Sequence, residues 1–448
     1  MAPAERAGMT GTMASHYVEE LARAEAGLVG ADSGWFRAAR RRALTHFGRI
    51  GFPTPKDEAW KYTSVAPIES RSFRLAGNLR NGLDVAELDR LRLIEAHELV
   101  FVNGYYSAQL SRLASLPAAV SVAPLSEALP QRSLQEHIER QAEPGNGFAA
   151  LNAALLSDGV HIRIGSGITL KTTLHLLFIS TAPDGPTASF PRVFIEAGAS
   201  SRVLIIEHYA GLTREEYFTD ALTEINAGPG ATVEHYKWQL EGARGYHIGQ
   251  MLVHQQRESR VTSYSVSLGA ALARHDIAVS LAGEGAGASL NGLYMAEGRQ
   301  HVDHHTSIDH QQPHTTSAEY YKGVLAGHAR GVFDGKVVVR EGAQKTDACL
   351  TNKNLLLSEH AEMDTKPELQ IYADDVKCSH GATVGQLDED ALFYLRSRGI
   401  ESSQAAALLT YAFADDVVAR IAIEPMRHAI ERHITARLPR AALVKELL

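Results

Sequence analysis

Between residues 155 and 388, apolar and polar positions alternate in short runs rich in Val, Ile, Thr and Tyr. Glycines punctuate them. The runs include Val160–Ile164, Leu174–Ser180, Arg192–Glu196, Arg202–Tyr209, Ala231–Leu240, Arg260–Leu268, Asp276–Ala282 and Lys336–Arg340. Tyr264, Val266 and Leu268 alternate with Ser263, Ser265 and Ser267, and Ile277, Val279 and Leu281 form a similar series. A period of two is the mark of half-buried strands. So long a strand-rich stretch leaves a sandwich, a barrel or a β-solenoid. Hairpin dipeptides are scarce: Asn291-Gly292 falls inside a strand-like run. Strands that follow one another without hairpins suit stacked coils, although no strict sequence repeat is visible.

On either side the period changes to helical. Residues 15–27 read as a helix with Val18, Leu21 and Ala22 on one face. Ser33 is placed to cap a second helix carrying Phe36, Ala43 and Phe47, which ends near Gly48 and Gly51. Arg40, Arg41 and Arg42 are expected on or near its solvent side, as a solvated charge run. Pro53 and Pro55 force an extended segment. Val100–Asn103 reads as a short strand, and residues 131–141 as a helix. Near the other end, Asp388 is placed to cap a helix ending at Gly399. Ser402 or Ser403 caps the next, and Pro425 opens a third with an Ile430, Ile434, Leu438 stripe. Three regions follow: residues 1–150, mainly helical; 151–388, the β core; and 389–448, helical.

Composition narrows the function classes. The 448 residues carry 44 Lys+Arg against 52 Asp+Glu, a net charge of −8, which lacks the basic excess of a nucleic-acid binder. Met1–Glu20 does not read as a signal peptide, and no apolar run approaches the ~18 residues of a membrane helix. A cytoplasmic protein is expected. Two cysteines, Cys349 and Cys378, cannot build a disulfide framework. Histidine is abundant at 21, and most of these are expected to decorate strand surfaces.

Three segments invite chemistry. The Gly283–Gly287 run lacks the spacing of a phosphate-binding loop, and GxxxxGK[ST] is absent, so this chain is expected to bind no nucleotide. His301, Asp303, His304, His305, Asp309, His310 and His314 fall close together. On a strand, His304 and His310 share a face with Thr306 and Ile308, while His301, Asp303, His305 and Asp309 take the other. Imidazole and carboxylate suit Zn, Fe or Mn, so His304 and His310 are kept as metal candidates. The competing reading is a polar ladder, because one strand places same-face neighbours ~7 Å apart and rarely supplies a whole site. Third, Cys378 and His380 stand two apart and project to one face of an extended strand. Thiolate and imidazole are ligands that iron–sulfur chemistry uses, yet two ligands cannot close a cluster site, and a partner chain would have to supply the rest. Cys349, among apolar neighbours, is placed in the core.

The residues around these sites carry a resemblance. Tyr320-Tyr321-Lys322-Gly323, Gly331-Val332-Phe333-Asp334-Gly335-Lys336, Thr351-Asn352-Lys353-Asn354-Leu355 and Lys366-Pro367-Glu368-Leu369 follow closely on one another. Asp374-Asp375-Val376-Lys377-Cys378-Ser379-His380-Gly381-Ala382-Thr383 comes next, and Pro53–Tyr62 stands near the start. The series resembles the SufB/SufD family of iron–sulfur cluster assembly proteins, over about residues 46–438. The resemblance implies a mainly β fold, a right-handed parallel β-helix flanked by N-terminal and C-terminal α-helical regions. It implies a scaffold subunit, not an enzyme, that pairs with SufB through the β-helices and docks the ATPase SufC on the C-terminal helices. It implies a transient iron–sulfur cluster or iron shared with SufB, a part in iron acquisition, and a possible homodimer in isolation. By the same resemblance His380 takes part in cluster formation at the SufB interface, with Cys378 its neighbour. The competing function is a metal-dependent β-helix enzyme using the His301–His314 cluster.

Overall fold

The computed structural model describes residues 16–77, 83, 85–93, 95–129, 131–140, 145–182 and 185–438. Its body is a parallel β-solenoid of about eight turns with helices toward both termini. Successive strands alternate between two sheets, so each pairs with the strand one coil away. His301–His310 lies between Leu272–Leu281 and Arg330–Val339 in one sheet. Thr316–Leu325 lies between Gly287–Ala296 and Asp347–Leu356 in the other. His97–Val102, Tyr105–Tyr106 and Val120–Pro124 join these sheets ahead of the first full coil.

The coils are regular although the sequence repeats no motif, and one corner shows why. Ser200, Gly230, Glu258, Gly285, His314 and Lys345 occupy equivalent positions in successive coils, and all have φ between 53° and 69°. Each donates its backbone N–H to a carbonyl of the following coil, namely those of Pro229, Arg257, Glu284, Pro313, Gln344 and Asp375, over 2.7–3.1 Å. The repeat is one of backbone conformation. Only some coils meet it with glycine, the residue that adopts a left-handed φ without strain. His314 belongs to this corner and not to the strand beside it.

Apolar inward positions stack into the core, among them Val203, Ile205, Val233, Ile277, Val279, Ile308, Val337 and Leu350. Each sheet also buries its outer face. The N-terminal helices Gly34–Ile50 and Gly147–Leu155 pack Phe47, Phe148 and Leu151 toward Phe218, Tyr246 and Leu272. The C-terminal helices Ser402–Val418 and Glu424–Arg437 pack Tyr411, Val417, Met426, Ile430 and Ile434 toward Trp238, Val266, Leu293 and Val324. Pro425 and the Ile430, Ile434, Leu438 stripe act there as the spacing predicts. Asp388 caps Glu389–Ser397 through a bond from the Ala391 amide, whereas Glu401, not a serine, caps the next helix.

Two helical expectations fail for a shared reason. The helix over residues 16–24 buries Tyr17 and Leu21 but exposes Val18, so its inner stripe is shifted by one position. Arg40 does not face solvent. It is 1% exposed, and its guanidinium donates to the carbonyls of Val29, Ala154 and Leu156 at 2.7–3.0 Å. Its neighbours Arg41 and Arg42 are exposed. Rotation about a helix by 100° per residue separates adjacent arginines, and unpaired carbonyls drew one of them inward.

Candidate functional site

The last coil differs from the others. Lys377–Gly385 ends its sheet: it pairs with Asp347–Leu356 on one side, and no strand among the described residues lies on the other. In that register Cys378 stands beside Ala348 and His380 beside Leu350. Ala348 and Leu350 belong to the core, so Cys378 and His380 face the solenoid interior at its open end. The alternation expected of this segment is present, and Ser379 takes the outer face beside Cys349. Cys378 is half-buried against the core, while His380 is exposed. Burial, with the Asp347 carboxylate added, pushes the Cys378 thiol above its ordinary range. It becomes a thiolate ligand only when a bound cation or a positive partner group offsets that penalty. Cys349, expected in the core, is exposed, because the apolar Ala348 and Leu350 on either side of it take the inward positions.

The His301–His310 strand divides its histidines as the alternation requires. His304, Thr306, Ile308 and His310 are buried inside. His304 Nε2 lies 3.2 Å from Ser267 Oγ, and His310 is held between Thr315 and Ser317 at 2.8 and 2.9 Å. Burial pushes His304 down to about 3 and His310 to about 4, so both are neutral at physiological pH. On the outer face Asp303 is bonded by Thr63, by Arg274 at 2.7 Å and by His305 at 3.0 Å, and Thr63 also meets His301 at 2.9 Å. Burial pulls His305 down, but the Asp303 carboxylate outweighs it and holds the imidazole above its ordinary value. Arg274 stacks over Trp60, 3.7 Å from its centroid, and donates to the Ala59 carbonyl. These groups pin the Pro53–Tyr62 segment to the solenoid. No group of three or more His, Cys, Asp or Glu among the described residues could hold a metal ion.

Sequence reasoning missed a polar seam inside the coils. Glu207, 1% exposed, accepts from Tyr209 and Thr223, both at 2.7 Å, and lies 2.9 Å from His235 Nε2. Burial alone would raise it, but His235 and Lys237 bring it down to about 2. Glu241 is bonded by Thr219, Gln239 and His247 at 2.9–3.0 Å. Lys237 is also buried, and desolvation lowers it to about 8 against the pull of both carboxylates. Further along, Glu319 is buried and pushed up to about 7 by desolvation, with Thr306 beside it. Tyr294, Asn352, Asn354 and Thr365 continue the hydrogen bonding to the last coil, where Asn354 donates to the Thr383 carbonyl. The expectation that histidines decorate the surface fails here. His235, His247, His275, His304 and His310 are buried inside, and His175 and His208 are buried on the outer faces of their strands. The signal was available in the runs themselves. Val203 and Ile205 set the inward phase of Arg202–Tyr209, and Glu207 and Tyr209 follow in step.

A parallel solenoid with helical ends and a Cys–His pair on its terminal edge defines the class of molecule. The family model described as "SUF system FeS cluster assembly, SufBD core domain" matches residues 178–413, and "SufBD protein N-terminal region" matches residues 12–176. The chain belongs to the SufBD family of iron–sulfur cluster assembly proteins. It is 33% identical over 400 residues to the iron–sulfur cluster assembly protein SufD of Escherichia coli, covering 88% of this chain and 91% of that one. A SufBD family protein of Synechocystis is 33% identical over 89% of this chain and 90% of its own length. A chloroplastic protein of Arabidopsis thaliana, ABCI7, is 29% identical over 86% and 83%. The chain is thus a SufD homologue. No helix among the described residues is long and apolar enough to cross a membrane.

Proposed function

We propose that this chain is a scaffold subunit, without catalytic chemistry of its own, in a cytoplasmic complex that assembles iron–sulfur clusters and passes them on. It pairs with SufB through the open end of the solenoid and holds the ATPase SufC on the helical region 389–448. The cluster, or the iron that enters it, is cargo shared with SufB, and the same arrangement serves iron acquisition. His380 and Cys378 contribute from this side. The observation that carries the reading is that this pair projects from an edge strand that pairs on one side only among the described residues. A bare edge offers backbone N–H and C=O groups to a second sheet. Val384, Ile371 and Tyr372, all exposed beside it, offer apolar area to the same partner. Two ligands here leave positions for the partner to fill. Nucleotide hydrolysis falls to SufC.

Co-expression with SufB and SufC, followed by size exclusion and anaerobic reconstitution, tests this. A three-chain complex is expected for the wild type, for His380→Ala and for Cys378→Ala. The His380→Ala complex should build clusters at least several-fold more slowly. Failure of the wild-type chain to co-purify, or an undiminished rate in His380→Ala, sinks the reading.

A further inference from the structure

Three of the segments that carry the family resemblance have no part in the cluster site, yet they meet at one place. Glu58 and Ala59 from Pro53–Tyr62, Asp334 and Lys336 from Gly331–Lys336, and Lys366 and Glu368 from Lys366–Leu369 line a pocket of about 410 Å³. It lies on the outer face of the sheet that contains His301–His310, which is not the sheet that bears Cys378 and His380. Two small residues in register, Ala278 and Ser307, form its floor. Leu252 stands beside Ala278, and Lys336 beside Ser307. Two residues back along the strands, Asp276, His305, Asp334 and Lys366 form a second row in the same strand order. The walls are held in place. Arg274 donates to the Ala59 carbonyl at 2.8 Å and binds both oxygens of Asp276, Asp303 fixes His305 at 3.0 Å, and Lys366 donates to Glu58 at 2.9 Å. By contrast, the side chains of Asp334, Lys336 and Ser307 make no hydrogen bond among the described residues. Lys366 is 3.9 Å from Asp334, and Glu368 is 3.7 Å from Lys336. Burial raises the Asp334 carboxyl against the pull of His305 and Lys366.

From this arrangement we infer that the pocket binds a small α-amino acid as its zwitterion. The ligand ammonium pairs with Asp334, and the ligand carboxylate pairs with Lys336 and the Ser307 hydroxyl. Same-face positions two apart on a strand stand ~7 Å from each other. The two charged ends of an amino acid, with a hydrogen bond at each, bridge that span. The ligand side chain then lies over Ala278 and Leu252, which favours a short apolar one. A simple anion fits less well, because Asp334 and Glu368 stand close to the lysines that would receive it. A simple cation fits less well for the converse reason, because Lys336 and Lys366 stand close to the carboxylates. None of these residues belongs to the cluster site, so the inference does not rest on the cluster-assembly reading.

The test titrates the full chain in a calorimeter with L-alanine, acetate, methylammonium and inorganic phosphate. L-alanine should bind, and each of the other three should bind at least about tenfold more weakly. Asp334→Asn and Lys336→Met should each weaken L-alanine binding at least about tenfold. Arg132→Gln, a surface change elsewhere, should leave it unchanged. Circular dichroism confirms folding of each variant. If the charge variants fail to fold, Ala278→Leu decides: the position is exposed on the pocket floor, and the larger side chain should abolish binding. Absence of L-alanine binding at millimolar concentration overturns the proposal, as does unchanged affinity in the folded variants. So does acetate, methylammonium or phosphate binding as tightly as L-alanine.

Discussion

The polar seam within the middle coils and the Cys378–His380 pair on the last coil both arise from polar residues at inward positions of strands. Their surroundings separate them. Around Glu207 and Glu241 every inward position meets another coil, so each carboxylate collects two or three donors and becomes part of the architecture. At Cys378 and His380 no further strand follows among the described residues, and the same inward orientation leaves the pair at the open edge. Inward polarity is absorbed by the architecture where the stack continues and left open where it stops.

The sharpest break in this comparison would come from inside. Glu207→Ala strips Tyr209, Thr223 and His235 of their acceptor and leaves Lys237 with one carboxylate fewer. It should cost about 3–5 kcal/mol in urea unfolding, as expected when one partner of a buried charged network is removed. A cost under about 1 kcal/mol would mean that the seam is hydrated and loosely held.

A second test uses protons. His304 stays neutral in the fold down to about pH 3, whereas the unfolded chain takes up that proton near pH 6.5. Protons therefore favour unfolding, and stability falls as pH drops from about 6.5 toward 3, at up to ~1.4 kcal/mol per pH unit from this one group. His310 adds in the same direction down to about pH 4. Below about pH 4.5 the depressed carboxyl of Glu207 adds further loss as the unfolded chain protonates first. In His304→Gln the slope of unfolding free energy between pH 6 and 4 should shrink by about one proton. An unchanged slope would place His304 in contact with solvent protons.

The two cysteines sharpen the contrast at smaller scale. Cys349 is exposed, while Cys378 is half-buried with its thiol held high. A disulfide reagent at pH 8 should therefore modify Cys349 about tenfold faster. Equal rates in single-cysteine variants would show the last coil open on both faces. The smallest effect is expected for His380→Ala in the isolated chain, at most about 0.5 kcal/mol in unfolding, because an exposed side chain gives little to stability. A larger loss would make His380 a structural residue.

Much of the fold was legible. The period-two runs located strands, scarce hairpin turns pointed to stacked coils, and Asp388, Gly399 and Pro425 marked helix boundaries that the structure shares. Tyr217–Ala227, Gly245–Gln255 and Glu362–Ile371 were not identified, because Asp220, Gly249 and Pro367 interrupt their apolar pattern. Arg40 and the interior histidines escaped for another reason. Polar side chains are assigned to solvent by default, and only the tertiary arrangement shows which carbonyls and carboxylates await them. The candidate pair was legible as a pair. That it stands on an unpaired edge depends on where the stack ends, which no local pattern encodes.

The left-handed corner makes the coils mechanically sequential. Each corner amide is anchored by the coil after it, from Ser200 on Pro229 to Lys345 on Asp375. Among the described residues the coil that contains Asp375 has no successor to anchor it. In a stacked array that coil opens at the lowest free energy, and opening then travels inward one layer at a time. Amide hydrogen exchange should accordingly quicken in steps toward Lys377–Gly385. If exchange quickens in that order, the strand carrying Cys378 and His380 would open while the layers beneath it stay closed.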